Sequence, residues 1–274
     1  MTEPISGHNG HGEEPAISMR GLMKSYDAKL VLRGINLDAP GGQIIGYLGP
    51  NGAGKTTTVK ILTGMLSDFR GEARVCGYDV ATQSLEVKRR IGYVPETAAL
   101  YDVLTPMEFL QFVGRIHGMS DPDIERRATD LLRLLGLGAE LHGRMSGFSK
   151  GMRQKVLIVA GLIHDPQVLF VDEPLSGLDA NAAMIVKEIF AGLARRGKTI
   201  FFCSHVMDVV ERVCDRIVIL SDGQIVADGT FAQLQAMNKG ASLERIFSQL
   251  TSEGGHDAIA EQFIQTLHAP AGTR

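Results

Sequence analysis

The feature that most constrains the fold is a glycine-rich turn at residues 49–57, which reads GPNGAGKTT. It matches the pattern G-x-x-x-x-G-K-[ST], in which backbone N–H groups and a lysine surround a phosphate. The apolar stretch QIIGYLG precedes it, and TTTVKILTGM, which is compatible with a helix, follows it. A strand, this turn and a helix in succession begin an α/β unit. The chain is therefore predicted to be an α/β protein.

Strand-like and helical patterns alternate along much of the chain. The stretches QVLFVDEP (167–174), KTIFFCSH (198–205) and DRIVIL (215–220) have the composition of buried strands, and helical patterns separate them. This order predicts a mostly parallel sheet with helices on both faces. Near the N-terminus, the alternating stretches 17–26 and 30–38 also predict strands.

Residues from about 97 to 163 have a helical pattern instead. LTPMEF predicts a helix with Thr105 as N-cap, Pro106 in the first helical position and Glu108 completing a capping box. The stretch SDPDIERRATDLLRLLGLG predicts a second helix, capped by Asp121. We therefore expect a helical subdomain at about residues 97–163.

The two ends of the chain differ from the segment between them. Residues 1–16 show no apolar periodicity, so we expect a disordered tail. Residues 17–238 form the predicted main domain, and 239–274 form a helical extension with two amphipathic stretches, SLERIFSQL and HDAIAEQFIQTL. The extension is expected either to pack on its own domain or to dock on a partner or a second copy.

Charge and composition exclude several classes of protein. The net charge is −3 and the short basic clusters have no interleaved aromatic residues, so no nucleic-acid partner is expected. Three cysteines fit neither a disulfide framework nor a zinc knuckle, which favours a reducing, cytosolic compartment. The longest apolar run, VLIVAGLI, is shorter than the about 20 residues that span a bilayer. We expect a chain that does not itself cross a membrane.

Two adjacent carboxylates end one of the predicted strands. In VLFVDEP the apolar stretch stops at Asp172, whose oxygens are suited to Mg²⁺, and Glu173 follows. The second side chain points differently and is placed to accept a proton from an attacking water. Acids at strand ends also cap the next helix, but a chain with a phosphate-binding loop favours the metal and proton roles.

A second turn of the phosphate-binding type, SGFSKGMRQK, occupies residues 146–155. SGLD at residues 176–179 follows it, and a lone His205 stands in FFCSHV. In this order the motifs resemble those of the ATP-binding subunit of an ABC transporter. The resemblance covers residues 17–235, with five motifs in sequence.

The resemblance implies an α/β fold of the P-loop NTPase class. This ABC cassette has a RecA-like, mostly parallel sheet core, an antiparallel β subdomain and an inserted helical subdomain. The resemblance also implies a head-to-tail homodimer, in which each ATP lies between the P-loop (residues 49–57) of one subunit and the signature turn (residues 146–151) of the other. Ser149 and Gly151 would then bond the γ-phosphate, toward which the following helix points its positive end. Taken alone, Ser-x-Gly before a helix is a routine N-cap.

Other positions match the family residue by residue. Tyr26 matches the aromatic residue that stacks on adenine, His205 the histidine that contacts the γ-phosphate, and Asp179 the loop that crosses the dimer interface. The implied catalytic residues are Glu173, as general base, with His205, Lys55 and Glu96. The implied Mg²⁺ ligands are Thr56, Asp172 and Glu96. The implied ATP contacts are Tyr26, Gly49, Pro50, Asn51, Gly52, Ala53, Gly54, Lys55, Thr56, Thr57, Ser149, Gly151 and Asp179.

Two motifs depart from the family pattern. The signature is usually Leu-Ser-Gly-Gly-Gln, and here FSKGM has Lys150 and Met152 in place of glycine and glutamine. Where most members have a glutamine that senses Mg²⁺ and the attacking water, GYVPE has Glu96. A carboxylate accepts hydrogen bonds but cannot donate them, and its charge near the phosphates opposes closure on ATP. We expect Glu96 to tune coupling without abolishing hydrolysis.

The motifs YVPE, FSKGMRQK and SLERIFSQL resemble those of bacterial export-type cassettes. This implies an ATPase motor that drives a separate integral membrane permease, which would contact residues 97–117. The chain would then be cytoplasmic and peripheral, on the inner face of the cell membrane, and would meet the membrane only through the permease. The rival is a soluble single-cassette ABC ATPase, for instance in cluster assembly. Intact Lys55, Asp172, Glu173 and His205 argue against a degenerate regulatory cassette.

Overall fold

The computed structural model describes residues 14–27, 29–96 and 102–251. Most of the predicted N-terminal tail, residues 97–101 at the start of the predicted helical subdomain and the second amphipathic stretch of the extension lie outside these ranges. Within them, no helix is long and apolar enough to cross a bilayer. The division of the chain into tail, main domain and extension stays a prediction.

The described residues form strands and helices in alternation. The strands are β1 (Ile17–Tyr26), β2 (Lys29–Ala39), β3 (Ile44–Leu48), β4 (Arg70–Val75), β5 (Tyr78–Asp79), β6 (Ile91–Val94), β7 (Val168–Asp172), β8 (Thr199–Cys203), β9 (Arg216–Ser221) and β10 (Gln224–Gly229). The helices are α1 (Lys55–Leu62), α2 (Ser84–Arg90), α3 (Pro106–Ile116), α4 (Asp121–Leu134), α5 (Lys150–Leu162), α6 (Ala180–Ala194), α7 (Met207–Val213), α8 (Phe231–Met237) and α9 (Leu243–Thr251).

The strands form two sheets. The first is antiparallel, in the order β2-β1-β4-β5. The second has the order β10-β9-β3-β8-β7-β6 and is parallel except for β10, which turns back on β9. That hairpin uses Asp222 and Gly223, both at positive φ, as a two-residue turn requires. The expected mostly parallel core and antiparallel subdomain are both confirmed.

Each parallel strand buries both of its faces, because successive side chains point to opposite sides. In β7, Leu169 and Val171 join the cluster under α4, α5 and α6, whereas Val168 and Phe170 join the cluster under α1 and the antiparallel sheet. The continuous apolar runs of these strands follow from this two-sided burial. The carboxyl ends of these strands are therefore held between two packed layers.

The helical subdomain of α3, α4 and α5 is inserted between β6 and β7. The predicted capping box is present: the Thr105 hydroxyl accepts from Glu108 N at 3.2 Å, and Thr105 N donates to Glu108 Oε2 at 2.8 Å. The cap predicted for α4 was wrong by one residue. Ser120 Oγ accepts from Asp123 N at 3.3 Å and is the N-cap, and Asp121 is the first helical residue, bonded to Arg115 at 2.7 Å.

The helix α5 packs against β6 through direct backbone contact. A Cβ atom at Gly92 of β6 would lie 2.0 Å from the carbonyl oxygen of Gly161 in α5. Contacts that short do not occur between real atoms, so only glycine fits at this position. The helix that follows the signature turn therefore rests directly on the strand that leads to Glu96.

A pair of stacked histidines joins the helical subdomain to the parallel sheet. The rings of His117, at the end of α3, and His164, after α5, are 3.6 Å apart at an angle of 13°. His164 Nε2 donates to the carbonyl oxygen of Ile91 at 2.8 Å, which leaves Nδ1 buried without a partner among the described residues. Burial lowers the pKa of His164 to about 4, a shift that the neighbouring Lys198 reinforces and Asp165 opposes.

Because His164 is buried in its neutral form, we expect the folded chain to lose stability in mild acid. The unfolded chain binds a proton at His164 near pH 6.5, whereas the folded chain binds it only near pH 4, so stability falls as pH decreases between those values. After discounting for the partly exposed ring, we expect a loss of about 1–2 kcal/mol. Denaturant unfolding of wild type and His164→Gln at pH 7 and 4.5 measures it, with the exposed His142→Gln as control. A wild-type-to-variant difference that stays constant with pH would contradict this prediction.

The first part of the predicted extension packs on the chain itself. Leu243 and Ile246 of α9 are fully buried and Phe247 nearly so, and all three belong to the core cluster under the helices. Its amphipathic pattern therefore comes from burial against its own domain. The expectation that the extension docks elsewhere now concerns only residues beyond 251.

Candidate functional site

The loop at residues 49–54 connects β3 to α1. Gly54 is the N-cap of α1, at φ 113°, a conformation that glycine adopts without strain. The Thr58 hydroxyl donates to the Gly54 carbonyl oxygen at 3.1 Å and lies 3.2 Å from the Tyr47 hydroxyl. These bonds fasten the first turn of the helix to the strand beneath it.

The Lys55 side chain lies across this loop. Its Nζ atom donates to the carbonyl oxygens of Gly49 and Pro50, the second at 3.1 Å. The ammonium group is therefore at the N-terminal end of α1, where the helix dipole is positive. Both features favour a phosphate at this position.

A cavity of about 260 Å³ opens beside the loop. Its lining includes the loop residues Pro50, Asn51, Gly52, Gly54, Lys55, Thr56 and Thr57. Three predicted residues from distant parts of the chain, Glu96, Asp172 and His205, line it as well. Gly49 and Ala53 lie within the loop itself. The structure thus brings most of the predicted phosphate and metal groups to one cavity.

Strand order explains why these groups meet. In the parallel sheet β3, β8, β7 and β6 are consecutive neighbours, and all run in the same direction. The loop follows β3, His205 follows β8, Asp172 ends β7 and Glu96 follows β6. Carboxyl ends of neighbouring parallel strands meet at one edge, where ligands of open α/β sheets bind.

The pKa of Asp172 in the cavity is perturbed by burial and by neighbouring charges. Burial raises its pKa above the usual range, and the negative charges of Glu96 and Glu173 raise it further. Lys55 acts in the opposite direction. The carboxylates thus repel one another, and a cation bound between them would relieve that repulsion.

The donor set fits Mg²⁺ rather than a metal caged by protein. Among the described residues, no group of three or more histidine, cysteine or acidic side chains is arranged so that it could hold a metal ion by itself. The cavity instead offers the Asp172 carboxylate, the Thr56 hydroxyl and the Glu96 carboxylate. Mg²⁺ commonly takes one or two carboxylates and completes its shell with phosphate oxygens and water.

Glu173 has a backbone conformation different from that of its neighbour. Its φ is 47°, in the left-handed region that is uncommon for residues other than glycine, and its side chain is only 13% exposed. The carboxylate accepts from Ser204 Oγ at 3.0 Å and from the His205 N–H at 2.5 Å. The His205 ring lies nearby, with Nε2 3.8 Å from Glu173 Oε1. The end of β8 therefore fixes the direction of this carboxylate.

The signature turn and Asp179 lie apart from the cavity. Ser149 is the N-cap of α5, accepting from Met152 N at 3.2 Å, and Asp179 is the N-cap of α6, accepting from Ala182 N at 2.9 Å. Neither these residues nor Gly151 is in the cavity lining. Within one chain, the groups predicted to contact ATP therefore form two separate sites.

The antiparallel sheet contributes residues that the sequence did not single out. Lys29 and Val31 of β2 line the cavity, whereas the predicted Tyr26 does not, although it stands near them at the end of β1. Tyr26 is 43% exposed, and Lys24 Nζ lies 4.9 Å from the centre of its ring. No sequence motif includes Lys29 or Val31. They could have been predicted only from the pairing register of β1 and β2, which places them near the glycine-rich loop.

Known proteins resemble this chain over most of its length. The family model described as ABC transporter matches residues 32–176. The ABC transporter ATP-binding protein NatA of Bacillus subtilis (strain 168) is 39% identical over 218 residues, covering 79% of this chain and 88% of that protein. The Nod factor export ATP-binding protein I of Ralstonia nicotianae (strain ATCC BAA-1114 / GMI1000) is 34% identical over 265 residues, covering 97% and 79%.

A solved structure agrees with both sequence matches. The structure titled "Structure of ATP binding subunit of ABC transporter" superposes with a TM-score of 0.81 at 34% identity, covering 86% of this chain and 99% of that one. The sheet order, the cavity beside the glycine-rich loop and these matches are consistent with one another. The chain belongs to the ABC transporter family, whose ATP-binding subunits hydrolyse ATP, and it is one of those subunits.

Proposed function

We propose that this subunit binds MgATP at the interface of a head-to-tail homodimer and drives a separate membrane permease by hydrolysing the ATP. The main support for this proposal is the arrangement of residues at one edge of the parallel sheet. The P-loop, Glu96, Asp172 and His205 line one cavity there, and Glu173 lies beside it. That combination suits hydrolysis as well as binding.

The cavity supplies positive charge and metal ligands to the phosphates. Lys55 and the backbone N–H groups of the loop hold the β- and γ-phosphates, and Tyr26, at the end of β1, stacks on the adenine. Thr56, Asp172 and Glu96 are the residues that hold Mg²⁺, directly or through water. Mg²⁺ when bound offsets the negative charge of the phosphates.

Glu173 is the proposed general base. Its carboxylate accepts the proton of the attacking water, and the Ser204 hydroxyl and His205 N–H keep it oriented. The His205 side chain is 55% exposed, which leaves it free to contact the γ-phosphate. These groups act on the water and the phosphate from the ends of β7 and β8.

A second copy completes the site. Ser149 and Gly151 do not line the cavity of their own chain. They belong to the turn that leads into the N-terminus of α5. A head-to-tail partner would bring this turn to the γ-phosphate, with Asp179 near the interface. In this arrangement the signature turn would contact the ATP that is bound to the P-loop of the second copy.

The proposed permease is an integral membrane protein on a separate chain. On α3 the apolar side chains of Phe112 and Ile116 are 51% and 67% exposed, and they border a shallow hollow with Arg115. This face, within residues 97–117, is where we place the permease contact. The subunit would then be cytoplasmic and peripheral on the inner face of the membrane, and the Nod factor export relative favours the export direction.

A soluble single-cassette ATPase is the other candidate, and the comparisons do not favour it. Purification of Glu173→Gln from its native host in mild detergent with MgATP tests the choice, because slowed hydrolysis preserves the closed state. An integral membrane protein in equal amount supports the proposal. Recovery of the homodimer alone, or of soluble partners, contradicts it, and Lys55→Met serves as the control that does not hold ATP.

Glu96 is expected to tune the rate without being essential. Its charge repels the phosphates and raises the pKa of Asp172, so Glu96→Gln should raise basal ATP hydrolysis about two- to fivefold. Steady-state assays with and without the permease measure this, with Glu125→Gln on the exposed face of α4 as control. Equal rates for Glu96→Gln and wild type in both conditions would show that Glu96 has no such role.

A further inference from the structure

Lys150, the first residue of α5, contacts the loop that follows Glu173. Its Nζ atom donates to Ser176 Oγ at 2.7 Å. The aliphatic part of the same side chain covers Gly177, where an added Cβ would lie 2.8 Å from Lys150 Cγ. Residues 174–178 form the linking loop between Glu173 and the Asp179 cap. The lysine that replaces the usual signature glycine therefore contacts this loop at Ser176 and Gly177.

A backbone contact supports the same arrangement. A Cβ at Gly151 would lie 2.5 Å from the Gly177 carbonyl oxygen, so the N-terminus of α5 rests directly on the linking loop. Within one chain, the signature turn and the linking loop touch through both a side chain and a backbone. Close packing of this kind couples the positions of the two segments.

The linking loop is fixed at both ends. At one end the carboxylate of Glu173 is bonded to Ser204 and His205, and Ser176 N donates to the Glu173 carbonyl oxygen at 3.1 Å. At the other end Asp179 caps α6. Lys150 holds the middle of the loop, so its bond to Ser176 acts three residues from the proposed general base.

We propose that Lys150 is a positioning residue for ATP hydrolysis, which holds the linking loop so that Glu173 keeps its alignment. This inference rests on the proposed function. The signature turn would contact the second copy's nucleotide. Through Lys150, a shift of that turn would move the linking loop and so change the alignment of Glu173 in the same chain. A glycine at this position has no side chain with which to make the contact.

Four variants test the role of the Lys150–Ser176 bond. Lys150→Met keeps the aliphatic chain and removes the donor, Ser176→Ala removes the acceptor, and Lys150→Arg restores a donor. Lys187→Met on α6 is the matched control. We expect Lys150→Met and Ser176→Ala each to lower kcat by about three- to tenfold, with the KM for ATP and the melting temperature nearly unchanged. Lys150→Arg should recover most of the rate.

The double variant decides whether the two residues act together. Lys150→Met/Ser176→Ala should lose no more rate than either single variant, because both remove one interaction. A raised KM in Lys150→Met with a silent Ser176→Ala would instead show that the lysine contacts phosphate directly and would overturn the proposal. Wild-type kinetics in Lys150→Met would also overturn it while the proposed function stands. An inactive wild type would overturn both.

Discussion

Glu173→Gln is expected to lower steady-state ATP hydrolysis by at least about a hundredfold while ATP binding persists. Glutamine keeps the size of the side chain, and its oxygen can accept from the His205 N–H in place of Glu173 Oε1. Its NH₂ group then takes the place of Oε2 and can donate to Ser204 Oγ. It cannot take a proton from water. The loss should therefore fall on kcat, with the affinity for ATP preserved or increased.

Single-turnover hydrolysis and equilibrium binding of a fluorescent ATP analogue separate these effects. Glu188→Gln on α6, where the carboxylate is exposed, is the matched control and should behave as wild type. A tenfold or smaller loss in Glu173→Gln would mean that the water is activated elsewhere. In that case His205, whose Nε2 is 3.8 Å from Glu173 Oε1, would be the next residue to change.

Gly92→Ala is expected to destabilise the fold by about 2–3 kcal/mol, which lowers the melting temperature by roughly 5–10 °C. The added methyl group would collide with the Gly161 carbonyl oxygen. The methyl carbon is fixed directly to the β6 backbone, and the oxygen belongs to the α5 backbone. No side-chain rotation can relieve it, so β6 and α5 must separate. Loss of their contact would also loosen the link between Glu96 and the signature turn.

A second glycine provides a control, because its replacement by alanine is expected to raise the melting temperature instead of lowering it. Gly192 lies inside α6, and an added Cβ would meet its nearest atom, Arg195 Nη2, at 3.8 Å. Gly192→Ala should therefore stabilise the chain by about 0.5–1 kcal/mol through helix propensity. Thermal unfolding of both variants measures the contrast. Equal melting temperatures would show that β6 and α5 are not in backbone contact.

Much of the fold and the cavity followed from local patterns. The run before Asp172 is apolar because β7 is buried on both faces, and the glycine-rich loop must lie between a strand and a helix. The resemblance to ABC ATP-binding subunits, and not periodicity, singled out Glu96 and His205, which line one cavity with Asp172. The strand before Asp172 and the position of the glycine-rich loop needed only periodicity and motif chemistry.

Contacts between distant loops could not be predicted in this way. The Lys150–Ser176 bond joins residues from two turns whose relative position depends on how α5 packs on β6. The cap of α4 was misplaced because Ser120 and Asp121 are both good caps, and the choice between them depends on the bond from Asp121 to Arg115. Each case was decided by packing beyond the local sequence.

The sheet order also governs how the chain can fold during synthesis. In the part of the chain that the structure describes, the P-loop strand β3 pairs with β8 and β9 alone, which end at residues 203 and 221. More than half of the chain must leave the ribosome before β3 gains a neighbour, and both of its edges stay open to other chains until then. Nucleotide can stabilise only the completed arrangement. The last third of the sequence thus decides whether the first third has a structure able to bind ATP.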